Sequence, residues 1–158
     1  MTPDPAALET ARTLLRDAGT GYLATLLSDG RPYVSLVNLT TSGSGMPLFL
    51  LSRLALHTRN LEADRRASLL LVQERDQTIE NHDDRLAGTR VTLIGTVAPC
   101  TGSDLRTRFI GAHPEAETYV DFADFSFHVM EIERAHLIGG FGRIVDLPGF
   151  SLNDPSAD

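Results

Sequence analysis

The chain alternates short apolar runs with polar, glycine-marked turns. At its start Leu8, Ala11, Leu14 and Leu15 recur at helical spacing. Asp4-Pro5 before them reads as an N-cap followed by proline in the first helical position, and Gly19 closes the segment. A helix over 5–18 is predicted. Tyr22–Leu27 and Tyr33–Thr41 are rich in strand formers, and "SDGR" between them is a hairpin turn. "SGSG" at 42–45 makes a second turn and Pro47–Leu54 a third strand, so the pattern predicts a helix and then a three-strand meander. Leu56–Arg65 reads as a short helix and Ala67–Gln73 as a buried strand. Residues 74–89 are polar and read as an exposed loop. Arg90–Ala98 is a strand, and Thr101–Ala112 a helix with Thr101 and Asp104 in a weak capping-box pattern. Residues 113–125 continue as helix and turn, and Ser126–Glu133 alternates as a strand. "RAHLIGGFGRIVDL" extends the sheet through a glycine-rich kink, and residues 148–158 read as an irregular, frayed tail.

These elements predict one α+β, mainly β domain over 1–158: a small β-barrel of six or seven strands with flanking helices, its core at about 20–147. "LFLL" and "SLLLV" are apolar on both strand faces. One face fills the barrel, and the other needs a helix or a second subunit, which points to a homodimer.

Composition narrows the chemistry. Hydrophobic residues are 42% of the 158, and no apolar run has the length of a membrane span. The first residues lack the basic start and long apolar core of a secretory signal, and the lone cysteine excludes an internal disulfide, so a cytoplasmic protein is expected. All 14 basic residues are arginine, which excludes a lysine Schiff base and a P-loop lysine. The net charge of −7 disfavours nucleic acid as the main partner and leaves room for a small anion held by local arginines.

The best candidate site is "SRLALHTRN", residues 52–60. Ser52 ends a strand, and His57 and Thr58 fall in the first turn of the next helix. Backbone N–H groups at a helix start lack partners and carry partial positive charge, which suits a phosphate. Ser52 and Thr58 add hydroxyls, and Arg53 or Arg59 a forked cation. The chemistry divides evenly between this reading and a solvated helix start. "GGFGRI" at 139–144 permits close approach to a planar ligand, although a β-bulge or barrel corner explains it better on its own. The five histidines show no metal-ligand spacing; "HDD" at 82–84 reads as a solvated loop, and His128 as solvent-facing. Asp29 is a turn residue, and Cys100 is structural or incidental.

Together "GYLATLLSDGRPYVSLVNL", "PLFLLSRLALHTRNLEADRRASLLL", "GTRVTLIGTV" and "AHLIGGFGRI" resemble the FMN-binding split-barrel proteins related to pyridoxamine 5′-phosphate oxidase, on the branch of the HugZ-like haem-utilisation proteins. The likeness runs from about Gly21 to Ile144. It implies a homodimer with two interfacial FMN sites and a small-molecule substrate. The family's phosphate segment falls on Ser52, Arg53, His57, Thr58 and Asn60, and the strand along the flavin ring on Val34 and Ser35. Phe141 and Arg143 would approach the flavin region, from the partner subunit. Haem-degrading members carry a C-terminal domain and a histidine-bearing tail, whereas the last histidine here is His136. The expectation is therefore a short form and an FMN-dependent oxidoreductase, with a non-catalytic flavin or haem protein as the alternative. Haem and deazaflavin rank behind FMN as cofactors.

Overall fold

The computed structural model describes residues 2–73, 86, 88–139, 142–149 and 152. Helix α1 (Pro5–Asp17) is capped by Asp4, whose Oδ1 accepts from Ala6 N at 3.0 Å. Ala11, Leu14 and Leu15 of the expected stripe are buried, while Leu8 is only partly buried and Ala7, not among the expected positions, completes the buried face. Strands β1 (Thr20–Leu26) and β2 (Pro32–Asn38) form the expected hairpin, closed by Leu27 N donating to Arg31 O at 2.8 Å.

The meander ends there. Leu39 interrupts the return strand, leaving a two-residue β3 (Thr40–Thr41) that pairs with β4 (Pro47–Ser52). Strand β4 does not join β2; its neighbour on the other side is β7 (Phe125–Gly139). The free side of β1 takes β5 (Arg66–Val72), which pairs with β6 (Arg90–Pro99), which pairs with β7. The sheet order is β2-β1-β5-β6-β7-β4-β3, with β8 (Arg143–Pro148) on β7. Among the described residues eight antiparallel strands thus curl into a split barrel, where six or seven were expected, the two-residue β3 included. The break at Leu39 has a physical cause: its side chain is fully buried, and its carbonyl accepts from buried His113 Nε2 at 2.8 Å.

Strand β7 is the spine, pairing β4 over its first residues, β8 over its last, and β6 from His128 to Ile138. The expected glycine-rich kink falls where β7 gives way to β8, and two of its residues, 140 and 141, lie outside the described residues. A bulge interrupts the β6 ladder, where Ile94 pairs with Arg134 but Gly95 with Ile132, so Glu133 is an extra residue. A Cβ on Gly95 would lie 1.9 Å from Glu131 O, so only glycine fits there.

The interior is filled by Leu23, Leu69, Leu93, Phe49 and Met130, all essentially unexposed. The doubly apolar strands resolve in two ways. The second face of β4 is covered within the chain: Leu50 packs with Phe109 of α3 (Leu105–Ala112) and with Ala116 and Val120 around the 3-10 turn Pro114–Thr118. The second face of β5 continues into a surface where Tyr22, Val34, Leu36 and Val72 stand exposed. Two local expectations fail. Asp104 makes no side-chain cap for α3 and bonds Arg108 Nε at 2.7 Å instead, and Thr101 lies outside the helix. His128, expected to face solvent, is 3% exposed, because its position on β7 puts it opposite Phe49. Most of the expected irregular tail lies outside the described residues; of its described part, Gly149 and Leu152 are buried, Leu152 in the main core. The "HDD" segment and most of the 74–89 loop lie outside the described residues.

Candidate functional site

Helix α2 (Leu56–Ala63) follows β4 and precedes β5 in the chain and packs against β1, β2 and β6. It is pinned from below. Asn60 is 6% exposed, and its Nδ2 donates to Thr25 Oγ1 of β1 at 3.1 Å. Thr58 is 1% exposed, and its hydroxyl has no hydrogen-bond partner among the described residues. His57 is half-buried, with Nδ1 3.1 Å from Ser35 Oγ of β2. That bond joins residues 22 apart in sequence. The second His57 nitrogen has no hydrogen-bond partner among the described residues.

Burial lowers the His57 pKa below its ordinary value of 6.5, and the charge of nearby His128 lowers it further. His128 is lowered as well, by burial, against smaller opposing effects of the Ser126 carbonyl and Glu62. Both imidazoles therefore favour their uncharged forms at neutral pH, the form that ligates metals. His128 carried no sequence signal for this; its burial follows from its register opposite Phe49.

The start of α2 is chemically bare. Its N-cap position is Ala55, which makes no side-chain cap bond, and the first helical hydrogen bond is Arg59 N to Ala55 O at 3.3 Å. The segment before it is tied sideways. Ser52 Oγ donates to Asp124 Oδ2 at 2.6 Å and accepts from Leu54 N at 3.1 Å. Arg53 N donates to Asp124 O at 2.8 Å, so Asp124 holds this segment twice. Asp124 went unnoticed in the sequence, since it lies 72 residues from Ser52 with no motif around it. Apolar side chains stand out on both tied segments: Leu54, Leu56 and Phe122 are exposed.

The expected site residues thus divide. Ser35 and His57 meet. Ser52 turns to a carboxylate, and Thr58 and Asn60 point into the protein. Arg53 is exposed beside them. Val34 projects from the opposite face of β2, although β2 is a sheet edge and its outer backbone groups pair with no other strand among the described residues. Arg143 lies elsewhere, opposite Gly139 at the far end of β7, where it bonds Asp4 at the start of α1. Phe141 lies outside the described residues. As a phosphate grip the donors of 52–60 do not converge: the Ser52 proton goes to Asp124 and the Asn60 amide to Thr25, and the Thr58 hydroxyl, unpartnered among the described residues, is buried. For haem the same end offers an uncharged imidazole with a free nitrogen, exposed apolar side chains and an exposed guanidinium for a propionate, and this donor set fits.

Known proteins bear on the choice. A solved heme-binding protein from Mycobacterium smegmatis is 35% identical, with a TM-score of 0.84 over 96% of this chain and 61% of that one. The chloroplastic heme oxygenase HOZ of Arabidopsis thaliana is 32% identical over 138 residues, 84% of this chain. The chain spans only 40% of that relative's length. A Clostridium acetobutylicum protein related to general stress protein 26, of the pyridoxinephosphate oxidase family, is 11% identical with a TM-score of 0.69 over 94% of this chain and 99% of that one. It shares the fold, so the expected split barrel holds. The two relatives described here above 30% identity are both named for heme. Among the described residues no helix is long and apolar enough to cross a membrane. The family model described as "CREG, beta-barrel" matches residues 3–149, nearly the whole chain, and the chain therefore belongs to the CREG beta-barrel family.

Proposed function

We propose that this chain binds haem at the α2 end of the split barrel, with His57 as the iron ligand, in the manner of a short HugZ-like haem-utilisation protein. The observation that carries the reading is His57 itself. It is half-buried and uncharged at neutral pH, one nitrogen is engaged by Ser35, and the other is free of partners among the described residues. The relatives named as a heme-binding protein and a heme oxygenase support it. When bound, haem supplies a redox-active iron. The protein's part is to present the imidazole, to lay Leu54, Leu56 and Phe122 against the porphyrin, and to offer Arg53 to a propionate.

A homodimer belongs to the same reading. Val34 and Leu36 are 63% and 64% exposed, and they pair across the hairpin with Ala24 and with half-exposed Tyr22. That is a contiguous apolar surface of the kind a subunit interface covers. A partner subunit would also bring a second copy of Arg143 to a site it cannot reach from within one chain.

Hemin titration of the purified protein tests the proposal. A saturable Soret band at one haem per chain is expected, with affinity at least about tenfold weaker and an altered Soret position in His57→Ala. Protein that arrives with bound flavin, and shows no saturable hemin binding, would restore the flavin oxidoreductase reading. Replacing Leu36 with Asp should convert the dimer to monomer in sedimentation.

A further inference from the structure

We propose that Asp124 is a specificity determinant that closes the start of α2 to phosphate-bearing cofactors. This deepens the proposed function and rests on its location of the site, but not on haem being the ligand. The strand end and helix start at 52–58 have the makings of an anion site: a strand-end hydroxyl, an adjacent arginine, and a helix start with no side-chain cap. What is set into it is an anion of the chain's own. The Ser52 hydroxyl has one proton, and it goes to Asp124 Oδ2 at 2.6 Å. Ser52 Oγ itself already accepts from Leu54 N at 3.1 Å, so its hydrogen-bonding capacity is nearly filled. Arg53 N, the next donor along, is taken by the Asp124 carbonyl at 2.8 Å. A phosphate that reached the Ser52 hydroxyl would have to displace the carboxylate or lie within roughly 5 Å of it, two hydrogen-bond lengths across one oxygen. Like charges at that range repel strongly in a partly buried setting, where water screens them poorly.

The other donors give little compensation. Asn60 spends its amide on Thr25, and the Thr58 hydroxyl, although unpartnered among the described residues, is only 1% exposed and so closed to a ligand at the surface. A ligand without a phosphate meets none of these obstacles. The exposed surface beside the carboxylate is apolar, with Leu54, Leu56 and Phe122, and Arg53 keeps its guanidinium free of hydrogen bonds and ion pairs among the described residues. A flat, mostly apolar ligand with carboxylates at its rim fits this arrangement better than a phosphate monoester.

The test compares FMN with riboflavin, which differ only by the phosphate. In the purified wild-type chain, flavin fluorescence titrations should give affinities for the two within about threefold of each other. In Asp124→Asn, which keeps the shape and removes the charge, FMN should bind at least about tenfold more tightly than riboflavin, and inorganic phosphate should compete. A wild-type preference for FMN of tenfold or more would overturn the proposal. So would Asp124→Asn binding FMN no better than riboflavin, or neither protein binding FMN. Should Asp124→Asn lose its cooperative melt, Ser52→Ala in the wild-type background decides: its FMN affinity should be unchanged, and a loss would show that Ser52 holds phosphate after all. A hemin titration on the same samples separates the two ideas, since absence of a Soret band sinks the haem reading and leaves the flavin ratio readable.

Discussion

Helices α1 and α2 begin in opposite ways. Asp4 caps α1 through Ala6 N and Ala7 N, Pro5 sets its first φ, and Arg143 reaches from β8 to hold the same carboxylate. Helix α2 begins at Ala55 with no side-chain cap, runs for eight residues against thirteen in α1, and is held from beneath by Asn60 on Thr25. The first helix is secured at its end and the second at its middle. A helix end secured by side chains has spent its donors on the fold. One left bare, with its securing bond moved inside, keeps them available, and the half-buried His57 sits in that first turn. The contrast supports the proposed site at α2.

The largest break in the comparison is expected at the internal anchor. Asn60→Ala removes the amide and leaves the Thr25 hydroxyl buried without its partner, a change worth about 2–3 kcal/mol. A matched urea melt of Thr25→Val/Asn60→Leu should recover much of that loss, because both polar groups then go together. If Asn60→Ala melts like wild type, α2 is held by something other than this bond. Next comes the end-cap of α1. Asp4→Ala should cost about 1 kcal/mol, nearly all from the cap, because the Arg143 pair is exposed and such pairs contribute little. Arg143→Ala alone should therefore leave the melting midpoint almost unmoved, and a loss equal to that of Asp4→Ala would show the ion pair to be the stronger element.

Much of this was legible in the sequence, and the illegible part has a pattern. The α1 cap reads directly from Asp4-Pro5, and the hairpin from "SDGR", because caps and tight turns are local. Strand partners are not local. Periodicity marked Pro47–Leu54 as a strand with an apolar run on both faces but could not say that β7, not β2, lies beside it. The stop at Leu39 depends on His113, 74 positions on. The site divides along the same line. The sequence singled out 52–60 and Ser35, but whether its donors face a ligand or the protein was decided by Asp124 and Thr25, distant residues with no motif of their own.

A smaller effect comes from making the two helix starts alike. Ala55 already has extended backbone angles, φ −76° and ψ 143°, which suit an N-cap. Ala55→Ser should stabilise the chain by about 0.5–1 kcal/mol. If the bare start serves a ligand, hemin affinity should fall as the melting midpoint rises. A rise with affinity intact would mean that the open start is incidental.

The finest test separates the two starts by pH. His57 and His128 have folded pKa values below the ordinary 6.5, so below that value the unfolded chain binds more protons than the folded one. Stability on their account is complete above pH 6.5 and falls as pH drops through 6.5 toward their folded values. Asp4 is shifted the same way, chiefly by its bond to Arg143, but from an ordinary value of 3.8. Its contribution is present above pH 3.8 and is lost only as pH falls below that, through its folded value. Urea midpoints measured from pH 7.5 to 3 should therefore decline in two stages, α2 first. His57→Gln/His128→Gln should flatten the upper stage and leave the lower one, while Asp4→Asn should reduce only the lower. Carboxylates such as Asp64, lowered to about 2 by its bond to Arg66, add to the acid stage but not to the upper one. A decline confined to the acid stage would place the histidine pair in water in solution, and with it would go the reason for reading His57 as an uncharged ligand.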